Sequence, residues 1–182
     1  AGIVHTYWQS AIAFATGVAP GAFGTAHPLN APYQAFPTRD GWLTLGAANQ
    51  ANWLRLVEVL GAPELAGDAR FADNAHRMKH RTELEAALVP HFATRTTAEW
   101  LAVLETAGVP AGPVLDIDQM HRDEQTLARG MVVETNHPRA GAVKTLGLPV
   151  KFSDTPGGVV RPAPLFGQHT REVLGELGFP DG

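Results

Sequence analysis

The stretch FGTAHPLNAPYQAFPTRDGWLTLG, residues 23–46, decides how this chain folds. Tyr33 to Pro37 and Trp42 to Gly46 read as two short strands, and Asp40-Gly41 between them supplies residues that tolerate the backbone angles of a hairpin turn. The first half of the stretch has another character. Gly24, Pro28 and Pro32 bend and stiffen a loop that feeds directly into the first strand. A rigid, exposed loop mounted on a hairpin is suited to presenting groups to a ligand, which makes residues 24–32 the first candidate site.

Helix signals flank the hairpin. Asn49 to Leu60 is expected to be helical, stopped by Gly61 and Pro63. Asn74 is placed to cap a longer helix carrying Leu84, Leu88 and Phe92 at intervals of four, with Pro90 expected to kink or end it. Thr96 to Glu99 is a capping box, since the threonine oxygen can accept from the amide three residues on while the glutamate reaches back. The helix it opens should bury Trp100, Leu101 and Leu104 and end at Gly108. A further helix is expected from Asp116 to Ala128, closed by Gly130, and strand-like segments follow at Met131 to Glu134 and Val143 to Leu146. Near the start, Val4, Trp8, Ala11, Ile12 and Ala15 fall on one helical stripe, as in a helix packed on protein. Residues 152–164 read as a linker, and a short helix near Gln168 to Leu177 closes the chain. The expected fold is α+β, a small domain with a short antiparallel sheet and flanking helices. Three stretches follow: a leading helix in 1–22, the small domain in 23–150, and a linker with its helix in 151–182.

Composition narrows the function. The 182 residues suffice for one well-buried domain, and a 45 % hydrophobic content is that of a globular chain. Nineteen glycines and 14 prolines exceed the roughly 12 % that average usage supplies, so turns and loops are abundant. With a net charge of −4 and basic residues scattered apart from a cluster at Arg77 to Arg81, no stripe tracks a nucleic-acid backbone. The absence of cysteine removes disulfides and thiolate metal sites and agrees with a reducing, cytoplasmic setting. His5, Thr6, Gln9 and Ser10 interrupt the apolar N-terminal run well short of the roughly 20 residues a membrane span needs, and a basic signal-peptide region is lacking. Beginning at Ala1 inside a helical stripe, the sequence reads as the later part of something longer.

Few residues suggest chemistry on their own. His76 and His80 have the i, i+4 spacing of two zinc ligands. The glutamate of a metalloprotease motif is absent, and Arg77, Lys79 and Arg81 oppose a cation, so a solvated helix face is the better reading and no metal is expected. Asp116 and Asp118 could be paired acid/base carboxylates, but their place at a helix start accounts for them as caps. No phosphate loop and no recognisable Ser-His-Asp order is present. The candidate is therefore the loop 24–32 with its neighbour GAANQANW, residues 46–53, where a glycine permits close approach to a ligand. Asn49 and Gln50 there begin a helix whose free amides favour an anion. A well-capped connection without a ligand reads equally well from these residues.

Four segments then carry a resemblance: AHPLNAPYQAFPTRDGWLTLGAANQANWLRLVEVLG, DARFADNAHRMKHRTELEAAL, TAEWLAVLETAGVPAGPVLDIDQMHRDEQTLARGMVVE and RPAPLFGQHTREVLGELG. Their order and spacing resemble the class III coenzyme A transferases, the CaiB/BaiF family, over nearly the whole chain. AGVPAGPV before an acidic helix ending in ARGM is especially characteristic.

The resemblance implies proteins about twice this length that form interlocked homodimers. In them a Rossmann-like large domain binds CoA and carries an aspartate nucleophile, a small α+β domain follows, and a C-terminal tail returns to the large domain. This chain resembles the small domain plus that tail. No aspartate here stands in the nucleophile's motif, so no catalytic residue is transferred to it. The implied substrates are an acyl-CoA and a carboxylic acid, and the implied partner is the large domain. A glycine-rich loop of formyl-CoA transferases is similar in position to Gly24–Tyr33, here the stiffer GTAHPLNAPY. The substrate-binding candidates are accordingly Gly24, His27, Asn30, Ala31, Tyr33, Asn49 and Gln50. Related α-methylacyl-CoA racemases tend to carry glutamate where Asn49 stands, and an amide cannot take a proton. Transfer is thus favoured over racemisation, with a racemase part or a non-catalytic dimerisation module as alternatives.

Overall fold

The computed structural model describes residues 6–179. The chain forms two compact units, one ending at Val114 and the other beginning at Leu115. In the first, the hairpin forms as expected: β1 (Tyr33–Pro37) pairs antiparallel with β2 (Trp42–Gly46), with Tyr33 opposite Gly46 and Pro37 opposite Trp42. A third strand, β3 (Ala111–Pro113), adds antiparallel to β2 so that Thr44 faces Gly112. This short strand, with its glycine and proline, carries no strand signal in the sequence. Alternation splits the sheet into two faces. Phe36, Leu43 and Leu45 enter the core, whereas Tyr33, Trp42 and Thr44 point away from it.

The core forms where helices cover that inner face. Phe36 stacks on Phe92 with centroids 4.9 Å apart, and Phe92 meets Trp100 edge-on at 5.3 Å. The Trp100 indole donates to the Phe92 carbonyl at 2.8 Å, satisfying its one polar atom inside the core. The helices are α2 (Gln50–Leu60), α3 (Pro63–Gly67), α4 (Asn74–Lys79), α5 (Arg81–Phe92) and α6 (Thr97–Thr106), numbered after an N-terminal α1 (Tyr7–Thr16). Asn49 caps α2 by accepting from the Asn52 amide, and Gly61 closes it in the left-handed conformation. The capping box at Thr96 and Glu99 is present with both bonds. Trp100 and Leu104 are buried as expected, while Leu101 is only partly covered.

Several expectations are corrected. The long helix after residue 74 breaks at His80 into α4 and α5, while Pro90, expected to kink or end the helix, lies in the last turn of α5. The cap of α4 is Asp73, whose side chain accepts from the His76 amide, and not Asn74. Pro63 does not simply follow a stop but opens α3, where its missing N–H is harmless. In α1 no residue is buried. Trp8, on the expected stripe, is 58 % exposed, and Phe14 beside that stripe is 88 % exposed, so among the described residues the stripe is not packed into a core; Val4 lies outside the described residues.

In the second unit the single helix expected over 116–128 is two, α7 (Ile117–Arg122) and α8 (Glu124–Ala128). Asp123 separates them and caps the second by accepting from the Thr126 amide. β4 (Val132–His137) and β5 (Gly141–Leu146) pair antiparallel as a separate two-stranded sheet. Residues 152–164 contain no regular element, and α9 (Thr170–Glu176) follows.

Candidate functional site

The outer face of the three-stranded sheet forms the floor of a cleft of about 630 Å³. Gly46 and Gly112 lie on that floor with Thr44 beside them, so no side chain rises from the floor at these two positions. Tyr33 and Asn30 wall one side, and the start of α2, with Asn49 and Asn52, walls another. No acidic or basic side chain lines it.

Three of the expected residues, Asn30, Tyr33 and Asn49, meet in this cleft, while Gly24, His27, Ala31 and Gln50 do not line it. His27 lies behind Tyr33. The two rings stack with centroids 5.1 Å apart and planes 1° from parallel. Its Nδ1 accepts from the Leu29 amide at 3.1 Å and lies 3.2 Å from the Asn30 side-chain nitrogen, so His27 orders both lining residues without touching the cleft. Gly24 has a φ of +60°, a conformation that a side chain would strain, at the turn that launches the loop. Ala31 is buried.

The side chain of Asn49 is partly spent on structure. Its oxygen accepts from the Asn52 amide at 2.8 Å, so one of the free amides expected to attract an anion is already satisfied. The oxygen of Gln50 turns inward and accepts from Arg77 at 3.0 Å.

Arg77 is the residue that the sequence conceals. Its neighbours Lys79 and Arg81 suggest a solvated basic face, yet it is 0 % exposed. Its Nε donates to the Ala31 carbonyl at 2.8 Å, Nη1 to the Phe71 carbonyl as well as to Gln50, and Nη2 to the Ala48 carbonyl at 2.7 Å. Its guanidinium also lies over the Trp53 ring at 5.1 Å. Burial pulls the Arg77 pKa below its ordinary value, with the nearby Asp73 charge opposing. Three residues before it, Asn74 is used in the same loop: its Nδ2 donates to the Leu29 carbonyl and its Oδ1 accepts from the Ala31 amide. The only local signal was the helical spacing of the pair, which does not say what they face.

The remaining chemical candidates have other partners. His76 pairs with Asp73 at 2.9 Å and His80 with Glu83 at 3.3 Å, and His80 stands at the break between α4 and α5 while His76 lies within α4. His76, chiefly through its backbone amide and then its ring, holds the Asp73 carboxyl below the usual range. Asp116 forms a capping box with Gln119, and Asp118 pairs with Arg122.

Fold and cleft together define a small α+β domain with a neutral, glycine-floored cleft on the outer face of its sheet. The family model for CoA-transferase family III matches residues 1–170, and this chain belongs to that family. It is 39 % identical over 155 residues to succinyl-CoA:glutarate CoA-transferase of Mus musculus, covering 85 % of this chain and 36 % of that protein. It is 36 % identical over 168 residues to acetyl-CoA:oxalate CoA-transferase of Acetobacter aceti, covering 92 % of this chain and 42 % of that one. A crystal structure of a CaiB/BaiF family protein from Brucella suis superposes with a TM-score of 0.79 at 32 % identity, over 94 % of this chain and 44 % of the other. The chain thus spans roughly two fifths of the length of these curated relatives, 36 % and 42 %. Among the described residues no helix is long and apolar enough to cross a membrane.

Proposed function

We propose that this chain is the C-terminal part of a class III CoA-transferase that moves coenzyme A from an acyl-CoA to a carboxylic acid. Its cleft supplies one wall of the acyl site. The observation that carries the reading is the convergence of Asn30, Tyr33 and Asn49 on a bare glycine floor in a chain of this family. An aspartate on the large domain attacks the thioester carbonyl, the C–S bond breaks, and CoA leaves as thiolate from a mixed anhydride. The thiolate then attacks the aspartyl carbonyl, releasing the donor acid and leaving an aspartyl-CoA thioester. The acceptor carboxylate attacks that thioester, forming a second anhydride, and the thiolate returns to the acceptor's acyl carbon to give the new CoA ester and free aspartate.

Each step places charge on an acyl oxygen and exposes an anhydride that water would destroy. A wall of neutral amides and a phenol can donate to that oxygen without repelling an incoming carboxylate, and it keeps water off the anhydride. Gly24, His27, Ala31 and Gln50 serve the same site by shaping its walls. The relatives named for glutarate and oxalate make small dicarboxylic acids the first acceptors to try. Racemisation is disfavoured because Asn49, at the place of an acid/base glutamate, has an amide that takes no proton and an oxygen already engaged.

The exposed aromatic side chains of α1 fit a partner surface on the large domain, within the family's interlocked homodimer. The test is a CoA-transfer assay with succinyl-CoA and a dicarboxylate, run on this chain alone and on this chain combined with the large domain. Transfer only in combination is expected. Transfer by the pure chain would place the nucleophile here, and none in combination would favour a dimerisation module.

A further inference from the structure

We infer that Asn74 and Arg77, one turn apart on α4 and both outside the cleft, are positioning residues that set its width by clamping the segments presenting Asn30 and Asn49. This rests on the transferase reading for its consequence in catalysis, but on geometry for the clamp itself.

At each wall the residues on both sides of the asparagine are held. Asn30 stands between Leu29 and Ala31. Asn74 holds the first by donating to its carbonyl at 2.9 Å and the second by accepting from its amide at 3.0 Å. Arg77 adds a third bond, from Nε to the Ala31 carbonyl. Asn49 stands between Ala48 and Gln50, and Arg77 holds both: Nη2 donates to the Ala48 carbonyl and Nη1 to the Gln50 side chain. One planar guanidinium therefore bridges the backbone beside Asn30 to the turn beside Asn49. A second strap joins the same segments, from the Ala47 amide to the Pro32 carbonyl at 2.9 Å.

A buried charge is costly unless its hydrogen bonds are made, and here the hydrogen-bonding partners of Arg77 are three carbonyls and one amide oxygen, not a carboxylate. Such an arrangement fixes backbone positions. Lysine cannot reproduce it, because a single ammonium lacks the rigid fork that reaches both walls at once. Neither α4 side chain touches the cleft, so their loss acts through the placement of Asn30 and Asn49. Acyl transfer is sensitive to such displacements, since misplacing a reacting group by about 1 Å costs on the order of a hundredfold.

The experiment uses the complete enzyme with Asn74→Ala, Asn74→Asp and Arg77→Lys. Leu104→Ala is the control, a core cavity that removes no hydrogen bond to either wall. Thermal midpoint, kcat and KM for the acceptor acid, and amide hydrogen exchange over residues 29–31 and 48–50 are measured. We expect Asn74→Ala and Arg77→Lys to lower kcat/KM by about tenfold or more. Leu104→Ala should stay within about twofold of the unaltered enzyme while folded. Exchange at the Ala31 amide should quicken in Asn74→Ala and remain slow in Asn74→Asp, which keeps the acceptor. Folded clamp variants whose kcat/KM falls no further than the control's overturn the positioning role. If Arg77→Lys does not fold, Asn74→Ala decides, because it leaves Arg77 in place. If the unaltered enzyme transfers no CoA, the functional reading fails, and the clamp is judged by exchange alone. Unchanged exchange at Ala31 in Asn74→Ala then overturns it.

Discussion

The carboxylate of Asp40, in the hairpin turn, accepts from the backbone amide of Thr97 at 2.8 Å and from its hydroxyl at 3.1 Å. The turn thereby satisfies an amide at the start of α6 that the helix itself cannot, next to the Thr96 amide, which donates to the Glu99 carboxylate. Chiefly the Thr97 amide, with the Thr97 and Thr38 hydroxyls against some desolvation, holds the Asp40 carboxyl below its ordinary value of 3.8. A depressed pKa contributes stability that is present above the unfolded value and lost as pH falls through the folded one. Asp40→Asn should therefore flatten the acid limb of stability below about pH 4. Urea midpoints measured across that range decide it, and an unchanged slope would contradict the assignment. Part of the limb remains in the variant, because Glu99, Asp68 and Asp73 are also held low.

Gly46→Ala separates the cleft from the fold. A methyl there would sit 3.6 Å from the Tyr33 ring and 3.9 Å from Pro110, both ordinary contacts, so stability should change by less than about 1 kcal/mol. The same methyl lies on the cleft floor. In the complete enzyme kcat/KM should fall by about tenfold or more, since even one methylene in a fitted pocket has that effect. Unchanged kinetics in a folded variant would move the acyl site elsewhere.

Asn49 has two roles that one substitution can divide. Aspartate caps a helix as well as asparagine, so Asn49→Asp should keep the thermal midpoint, whereas Asn49→Ala should lose about 1 kcal/mol. In the assay the order reverses. The added negative charge in an otherwise neutral cleft opposes a carboxylate acceptor, so Asn49→Asp should be the slower enzyme. Equal rates for the two variants would remove Asn49 from the acyl site.

Gly147 is required by close approach. A Cβ at this position would overlap the Gly130 carbonyl oxygen, at the point where the Gly147 amide donates to the Met131 carbonyl. Gly147→Ala should destabilise the second unit by about 1–3 kcal/mol, through forced backbone displacement. Limited proteolysis with cleavage mapped to residues 115–179 would detect it, and protease resistance equal to that of the unaltered chain would count against it.

Much of the fold was legible because its signals are local. The hairpin, the helix that starts near Asn49, the Thr96 cap and the Gly61 stop depend on residues within one turn of each other, and each formed where the sequence put it. The misplaced features share a different cause. Asn74 and Asp73 are adjacent and chemically similar as caps, and a contact with Leu29 and Ala31, more than forty residues away, draws Asn74 off the helix end. β3 exists only because β2 offers it an edge.

By itself the sequence determined the α+β class, the family and the stretch in which Asn30, Tyr33 and Asn49 lie, because periodicity, capping and motif order are properties of the chain read along its length. Tertiary structure alone decided that Arg77 is a buried clamp instead of part of a solvated face, and that Gln50 serves it while Asn49 meets the cleft. The reason is physical. Nothing in the local sequence distinguishes a guanidinium bound for water from one bound for four oxygens, and in this chain the Ala31 carbonyl that Arg77 reaches lies 46 residues before it.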